Sequence, residues 1–253
     1  MDIHKPKPWH GVREFLKEIG TIVIGVLIAL GAEQAAEWLH WQEKVHSTER
    51  AIRRDFALTA DVASERVAIG RCLDGRLDLL KARVKDDRLR SSTALPADAD
   101  GVPMPYPYRA PSRAWNTQVW DQLKADGTLA HIDPERSRAL NLLYLTVQSA
   151  YVANHEEKNE ATDLQVLEEK GIELTADKKA ELVQHIDRLR MLNLELVALS
   201  RQMLRRIDDA GYLPPLKETT SRLGGPYSNA MQCRYAEGDL KDRISKGWFT
   251  LHR

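Results

Sequence analysis

The sequence predicts a mostly α protein, an N-terminal transmembrane helix continuing into an antiparallel helical bundle. Three observations predict it. Charged residues make up 29% of the chain and aromatic residues only 6%, the profile of long solvated amphipathic helices rather than of a β-rich core. Glycine and proline are sparse and clustered, so long stretches run without a breaker. Along those stretches apolar residues recur at gaps of three, four and seven.

The first element opens with REFLKEIGTIVIGVLIALGAEQAAEWLHW, residues 13–41. Its uncharged apolar run, Ile19 to Ala32, has 14 residues and spans roughly 21 Å as a helix. A bilayer core needs about 20 residues, and runs this short also occur as buried helices or signal peptides. Three features favour a span. Leu16, Ala35, Ala36 and Leu39 extend the apolar surface, while Lys17 can snorkel toward headgroups. Trp38 and Trp41 sit where an interfacial aromatic belt belongs. Apolar side chains also cover every side of the run, which an amphipathic surface helix would not do. A small-residue cleavage pattern at Ala29-Leu30-Gly31 keeps the signal-peptide reading open, although Glu14 and Glu18 break the basic start. Lys5, Lys7, Arg13 and Lys17 precede the run, and only Lys44 and Arg50 fall within the next 20 residues. That bias predicts a cytoplasmic N-terminus and a body on the other side.

The same stretch resembles the N-terminus of an uncharacterised bacterial family of N-terminally anchored single-span membrane proteins. The resemblance lies in the short basic start, the Gly-interrupted run ending in IGVLIAL, and the Trp-containing helix after it. A second stretch, AWNTQVWDQLKADGTLAHIDPERSRALNLLY (114–144), is similar to that family in its aromatic-rich helix, Gly turn and Ile-Asp-Pro-Glu helix start. Where the family favours amide side chains, this chain has Glu33-Gln34-Ala35-Ala36-Glu37. The resemblance implies an anchored bacterial envelope protein and brings no activity or cofactor with it. With the charge bias it gives a bacterial inner-membrane protein: a cytoplasmic tip (1–18), an anchor and interface (19–41), a periplasmic bundle (42–211) and an irregular tail (212–253).

After the anchor, Val45, Ile52, Phe56, Ala63, Val67, Leu73, Leu77, Leu80 and Val84 form one helical stripe, so a single helix from about residue 12 to about 90 is expected. Gly70 and Gly75 are the points where it would kink. Residues 91–113 hold five of the 11 prolines and read as a loop of extended, polyproline-like character. A short helix carrying Trp115, Val119, Trp120 and Leu123 then stops at Gly127. Asp133-Pro134 is a strong start signal, an N-cap acid with proline at the first helical position. Leu140, Leu143, Val147 and Tyr151 mark the expected buried face of the next helix, whose polar second half is expected to run to Lys170. Thr175 caps the last helix, with a stripe of Leu182, Ile186, Leu189, Leu196, Met203 and Ile207 ending at Gly211.

Candidate chemistry is thin. With 37 basic and 37 acidic residues the chain has no electrostatic signature of nucleic-acid binding. No phosphate loop or nucleophile elbow is present, and no catalytic residue, cofactor site or metal site is assigned. Cys72 and Cys233 are the only cysteines; in a periplasmic body they are a candidate disulfide, in a cytoplasmic one two reduced thiols. Glu37, His40, Glu43 and His46 repeat Glu-x-x-His, but on one helix near the interface, where solvated polar residues are the simpler reading. Glu181 and His185 form half of a metal site with no third ligand evident from the sequence, and His155-Glu156-Glu157 reads as a polar helix face. Tyr106 and Tyr108, in Pro103-Met104-Pro105-Tyr106-Pro107-Tyr108, either present a rigid partner surface or pack across the bundle. Gly25 and Ala29 form a small-x-x-x-small step for packing two anchors together, with a homo-oligomer as the consequence.

The reading that follows is an anchored protein working by binding or scaffolding, its partners the lipid bilayer and a membrane or periplasmic protein. Two alternatives stand beside it. One is a metal-dependent envelope enzyme using His131, His155 or His185; the other is a soluble cytoplasmic protein with a buried N-terminal helix.

Overall fold

The structure is a computed structural model, and it describes residues 11–85, 107–108, 113–168 and 173–212. Tyr106, most of the proline-rich segment, and the tail beyond Tyr212 with Cys233 lie outside the described residues. The protein is mostly α, with four α-helices among the described residues: α1 (Val12–Lys85), α2 (Gln118–Ala125), α3 (Pro134–Asp163) and α4 (Ala176–Asp209). The chain divides into two units, Met1–Glu49 and Arg50–Arg253, and α1 contributes to both.

In the first unit α1 starts as the Gly11 carbonyl accepts from the Glu14 amide at 2.8 Å. Glu14 in the first turn suits the positive end of the helix dipole. Thr21, the one hydroxyl in the apolar run, donates to the Lys17 carbonyl at 2.9 Å and so carries no unpaired polar hydrogen. At the far end of the run, the Lys44 ammonium lies 4.8 Å from the centre of the Trp41 ring.

The second unit is an up-down-up-down bundle, and its pairings set the directions. Tyr144 meets Asp55 and Glu157 meets Arg66, so α3 runs parallel to α1. Lys81 meets Asp187 and Gly70 meets Asn193, so α4 runs antiparallel to both. The returning second limb is only partly helical. The Pro107 carbonyl accepts from Arg76, Arg113 pairs with Glu65, and Trp120 of α2 stacks on Tyr144 with ring centres 5.2 Å apart. Consecutive limbs are therefore antiparallel, and α2 is the one α-helix of the second limb among the described residues.

Local signals explain most boundaries. The Asp133 carboxylate accepts from the Glu135 and Arg136 amides at 3.0 Å each, with Pro134 in the first turn. The Thr175 hydroxyl accepts from the Lys178 amide at 3.2 Å. Gly211 takes φ +70°, and the Tyr212 amide closes back on the Ile207 carbonyl at 2.9 Å, a left-handed helix stop that favours glycine. α1 passes through Gly70 and Gly75 without a helix break. Gly70 is instead a point of close approach: a Cβ there would lie 2.5 Å from Val197 Cγ2 of α4.

The α1 residues expected inside from Ile52 onward are buried, except Val67, which is half-buried. Every α4 residue expected inside is buried too. α3 departs from its expected face. Tyr151 is 55% exposed, while Tyr144, Ala150, Ala153 and Glu157 continue the buried stripe. The stripe turns because a charged residue, Glu157, closes it. α3 also ends earlier than expected, at Asp163, followed by a 3-10 segment, Leu164–Glu168.

The apolar side chains form two clusters. One surrounds Phe56, Trp120, Tyr144 and Ile207, the other Leu73, Leu77, Leu164 and Ile186. Both lie in the second unit, and a polar layer falls between them.

Candidate functional site

Arg66, Glu157 and Asn193, one from each long helix, make up that layer, at 3%, 0% and 1% exposure. Arg66 donates to both carboxylate oxygens of Glu157, at 2.8 and 2.5 Å, and to Asn193 Oδ1 at 2.9 Å. The Asn193 amide nitrogen donates to the Gly70 carbonyl at 2.9 Å, and the Tyr108 hydroxyl donates to Glu157 at 2.8 Å. Burial works against the Arg66 charge, but the adjoining Glu157 carboxylate outweighs it and the guanidinium is held protonated. Burial, and then Glu157, push the Tyr108 hydroxyl well above its ordinary range, so it stays a donor. Arg113 flanks the layer with a two-armed pair to Glu65 at 2.7 and 3.0 Å, an interaction that raises its own proton affinity. Desolvating two charges this fully is costly, and the saturated hydrogen bonding around the carboxylate is what offsets it. The arrangement fixes the register of three helices and the limb.

A second cluster lies nearer the bundle surface, where α3 ends. His185 Nδ1 is 2.7 Å from Glu160 Oε2 and 3.5 Å from Asp163 Oδ2, and His185 Nε2 is 3.7 Å from Glu181 Oε1. Arg188 Nε is 3.1 Å from the other oxygen of Glu160. Among the described residues, Glu160, Asp163 and His185 alone place three metal-capable side chains together, with ligand atoms within 4.8 Å of one another. Glu181 is held ionised below its ordinary range, first by its hydrogen bond to Lys178.

Elsewhere, Leu145, Gln148, Ser149, Val152, Ala153, Glu156 and Glu195 line an open groove of about 450 Å³ on α3 and α4. In the first unit, Ile22, Leu27 and Ile28 are 66%, 62% and 68% exposed. An 18-residue window of α1 has mean hydropathy 1.9 with none of it buried, which makes α1 long and apolar enough to cross a membrane.

The residues singled out in the sequence fare differently. Tyr108 is not at the surface; it packs into the second apolar cluster with its hydroxyl on Glu157. Cys72 is half-buried against that cluster. A Cβ added at Gly25 would meet nothing within 4 Å, and Ala29 is exposed. His40 lies edge-on to Trp41, and Glu37, His40, Glu43 and His46 form no metal-capable group. His155 stacks on Tyr151, and neither His155 nor His131 joins the His185 group. Sequence reasoning missed Arg66 and Asn193, and it placed Glu157 on a polar helix face, whereas Glu157 is fully buried on Arg66. The one signal was Glu157 falling in step with Ala150 and Ala153, an acidic residue on an apolar stripe. It also missed Glu160 and Asp163, the partners that the Glu181–His185 step lacked.

Together these features define a helical-bundle protein with an N-terminal helix of membrane-spanning length and apolarity. No protein-family model matches the chain, and neither a curated protein nor a solved structure matches it.

Proposed function

We propose that the protein is a single-span bacterial inner-membrane protein with a cytoplasmic N-terminus, whose periplasmic bundle works by binding or scaffolding. The observation that carries this reading is the bare apolar window of α1, with mean hydropathy 1.9 and none of it covered. Each fully exposed Val, Leu or Ile forgoes about 1.5–3 kcal/mol of burial. A chain working wholly in water has reason to cover such a surface; a bilayer covers it without protein contacts. The basic residues ahead of the run and the flanking Trp38 and Trp41 support the insertion and its direction. The resemblance to the anchored bacterial family supports the envelope location. Binding rather than catalysis fits a bundle whose most buried carboxylate, Glu157, is held by Arg66, Tyr108 and Asn154.

Protease treatment of intact spheroplasts carrying a C-terminally tagged full chain tests the reading. Loss of the tag, with cytoplasmic controls intact and the untreated chain at full length in the membrane fraction, is the expected result. A full-length chain recovered from the soluble fraction overturns the anchor. A tag that stays protected until the membrane is permeabilised overturns the orientation. A chain shortened at Ala29-Leu30-Gly31 replaces the anchor by a cleaved export signal.

A further inference from the structure

We infer that Glu160, Asp163 and His185 form a binding site for one divalent transition-metal ion of the zinc class, with Glu181 orienting the imidazole. This goes beyond the membrane reading and does not rest on it, because every residue involved lies in the helical bundle.

Two helices supply the donors at one-turn spacings. Glu160 and Asp163 are three apart at the end of α3, and Glu181 and His185 are four apart near the start of α4. The antiparallel run of α4 against α3 brings the pairs together. Glu160 and Asp163 both face His185 Nδ1, at 2.7 and 3.5 Å. A tetrahedral zinc with ligand bonds of about 2.0–2.2 Å places its donors about 3.3–3.6 Å apart, so donors already within 4.8 Å need only small rotamer changes. Glu181 lies on the opposite ring nitrogen, Nε2, at 3.7 Å. That is the place from which a carboxylate fixes the tautomer and ring orientation of a metal-bound histidine. Without an ion, Nδ1 lies at hydrogen-bond distance from Glu160, the carboxylate accepting. With an ion bound, the ring proton sits on Nε2, facing Glu181, Nδ1 becomes the ligand atom, and a water completes four-coordination.

The local charge argues for a cation. Carboxylates in the last turn of a helix face the negative end of its dipole, and the last turn of α3 holds no basic residue. Arg188 holds one oxygen of Glu160 at 3.1 Å and leaves the other directed at His185. The donor set decides the kind of ion. Calcium takes six to eight oxygens and magnesium a near-octahedral oxygen shell, whereas one imidazole with two carboxylates suits a borderline ion.

The test uses the full chain purified in detergent and stripped with a chelator. Zinc is titrated by calorimetry, bound metal is counted after dialysis, and cobalt(II) serves as a spectroscopic probe. The expected result is one ion per chain, with the visible absorption of four-coordinate cobalt. His185→Gln and Asp163→Asn should each weaken zinc binding at least tenfold, and Glu181→Gln by about 10–100-fold, as for an outer-shell partner. Asp163 is 55% exposed, so Asp163→Asn gives a decisive reading even if His185→Gln fails to fold. Absence of stoichiometric zinc binding overturns the proposal. Binding that is unchanged in Asp163→Asn also overturns it, since the ion then sits on other histidines.

Discussion

Arg66 of α1 and Glu157 of α3, 91 positions apart in the chain, meet in a two-armed ion pair almost closed to solvent. The pair divides the apolar interior into two clusters and ties the limb to α3 through Tyr108. Removing one partner leaves the other charge buried and unmatched, which costs about 3–5 kcal/mol. Glu157→Gln and Arg66→Met should each destabilise the bundle by that order. The combined variant Arg66→Met/Glu157→Leu/Tyr108→Phe, which also removes the dependent hydroxyl, should cost less than either alone. Urea unfolding of the full chain in detergent, followed by helical circular dichroism, measures all three.

Asp55 gives a pH signature. Burial pushes its carboxyl above the ordinary 3.8, more than the Tyr144 hydrogen bond pulls it down. The folded state thus keeps a proton that the unfolded chain releases. The Asp55 contribution is complete below 3.8 and is lost as pH rises through the higher folded value. Asp55→Asn keeps an oxygen for the Tyr144 hydroxyl and removes the titration. The stability of the variant relative to the parent should rise with pH across that window and then level off. Unfolding midpoints of both proteins over a pH series check this; parallel curves would contradict it.

The two glycines late in α1 should respond in opposite directions. Gly70→Ala drives a methyl group into Val197 at 2.5 Å and should cost about 1–3 kcal/mol. Gly75→Ala meets nothing within 4 Å and should stabilise by up to about 1 kcal/mol through helix propensity. Thermal unfolding of the two variants side by side is sufficient.

Cys72 and Cys233 should be joined in protein isolated from the envelope under non-reducing conditions. Peptide mapping should then find one crosslinked species containing both, and Cys72→Ser should abolish it and lower stability by up to roughly 5 kcal/mol. Two separately alkylated thiols in that preparation would remove the oxidising compartment from the reading.

Much of the architecture was legible because it depends on near neighbours in the chain. The α4 stripe from Leu182 to Ile207, the Asp133-Pro134 start and the Thr175 cap rest on spacings of three and four residues. Periodicity and capping chemistry read those directly. The α3 face beyond Val147 was not legible, because Glu157 is tolerable inside only when Arg66 arrives from another helix. The His185 cluster hides for the same reason: Glu160 and Asp163 lie on α3, and only the register of α3 against α4 brings them to the ring. Tyr108 shows the limit of reading composition. Its proline-rich neighbourhood left a partner surface and packing across the bundle both open, and its side chain lies in the core.

The partly extended second limb has a consequence for insertions and deletions. Arg113 reaches Glu65 and Trp120 stacks on Tyr144, which holds Asp55, so seven residue steps of the limb cover about the same stretch as ten steps of α1. An α-helix advances about 1.5 Å per residue, whereas extended chain advances up to about 3.6 Å. Losing one residue between Arg113 and α2 would therefore draw Arg113 off Glu65 by up to about two helix positions. Connecting segments ordinarily absorb length changes that helices cannot. Here the relation is inverted, and the short non-helical stretch ahead of α2 becomes a measured spacer whose residue count the bundle depends on.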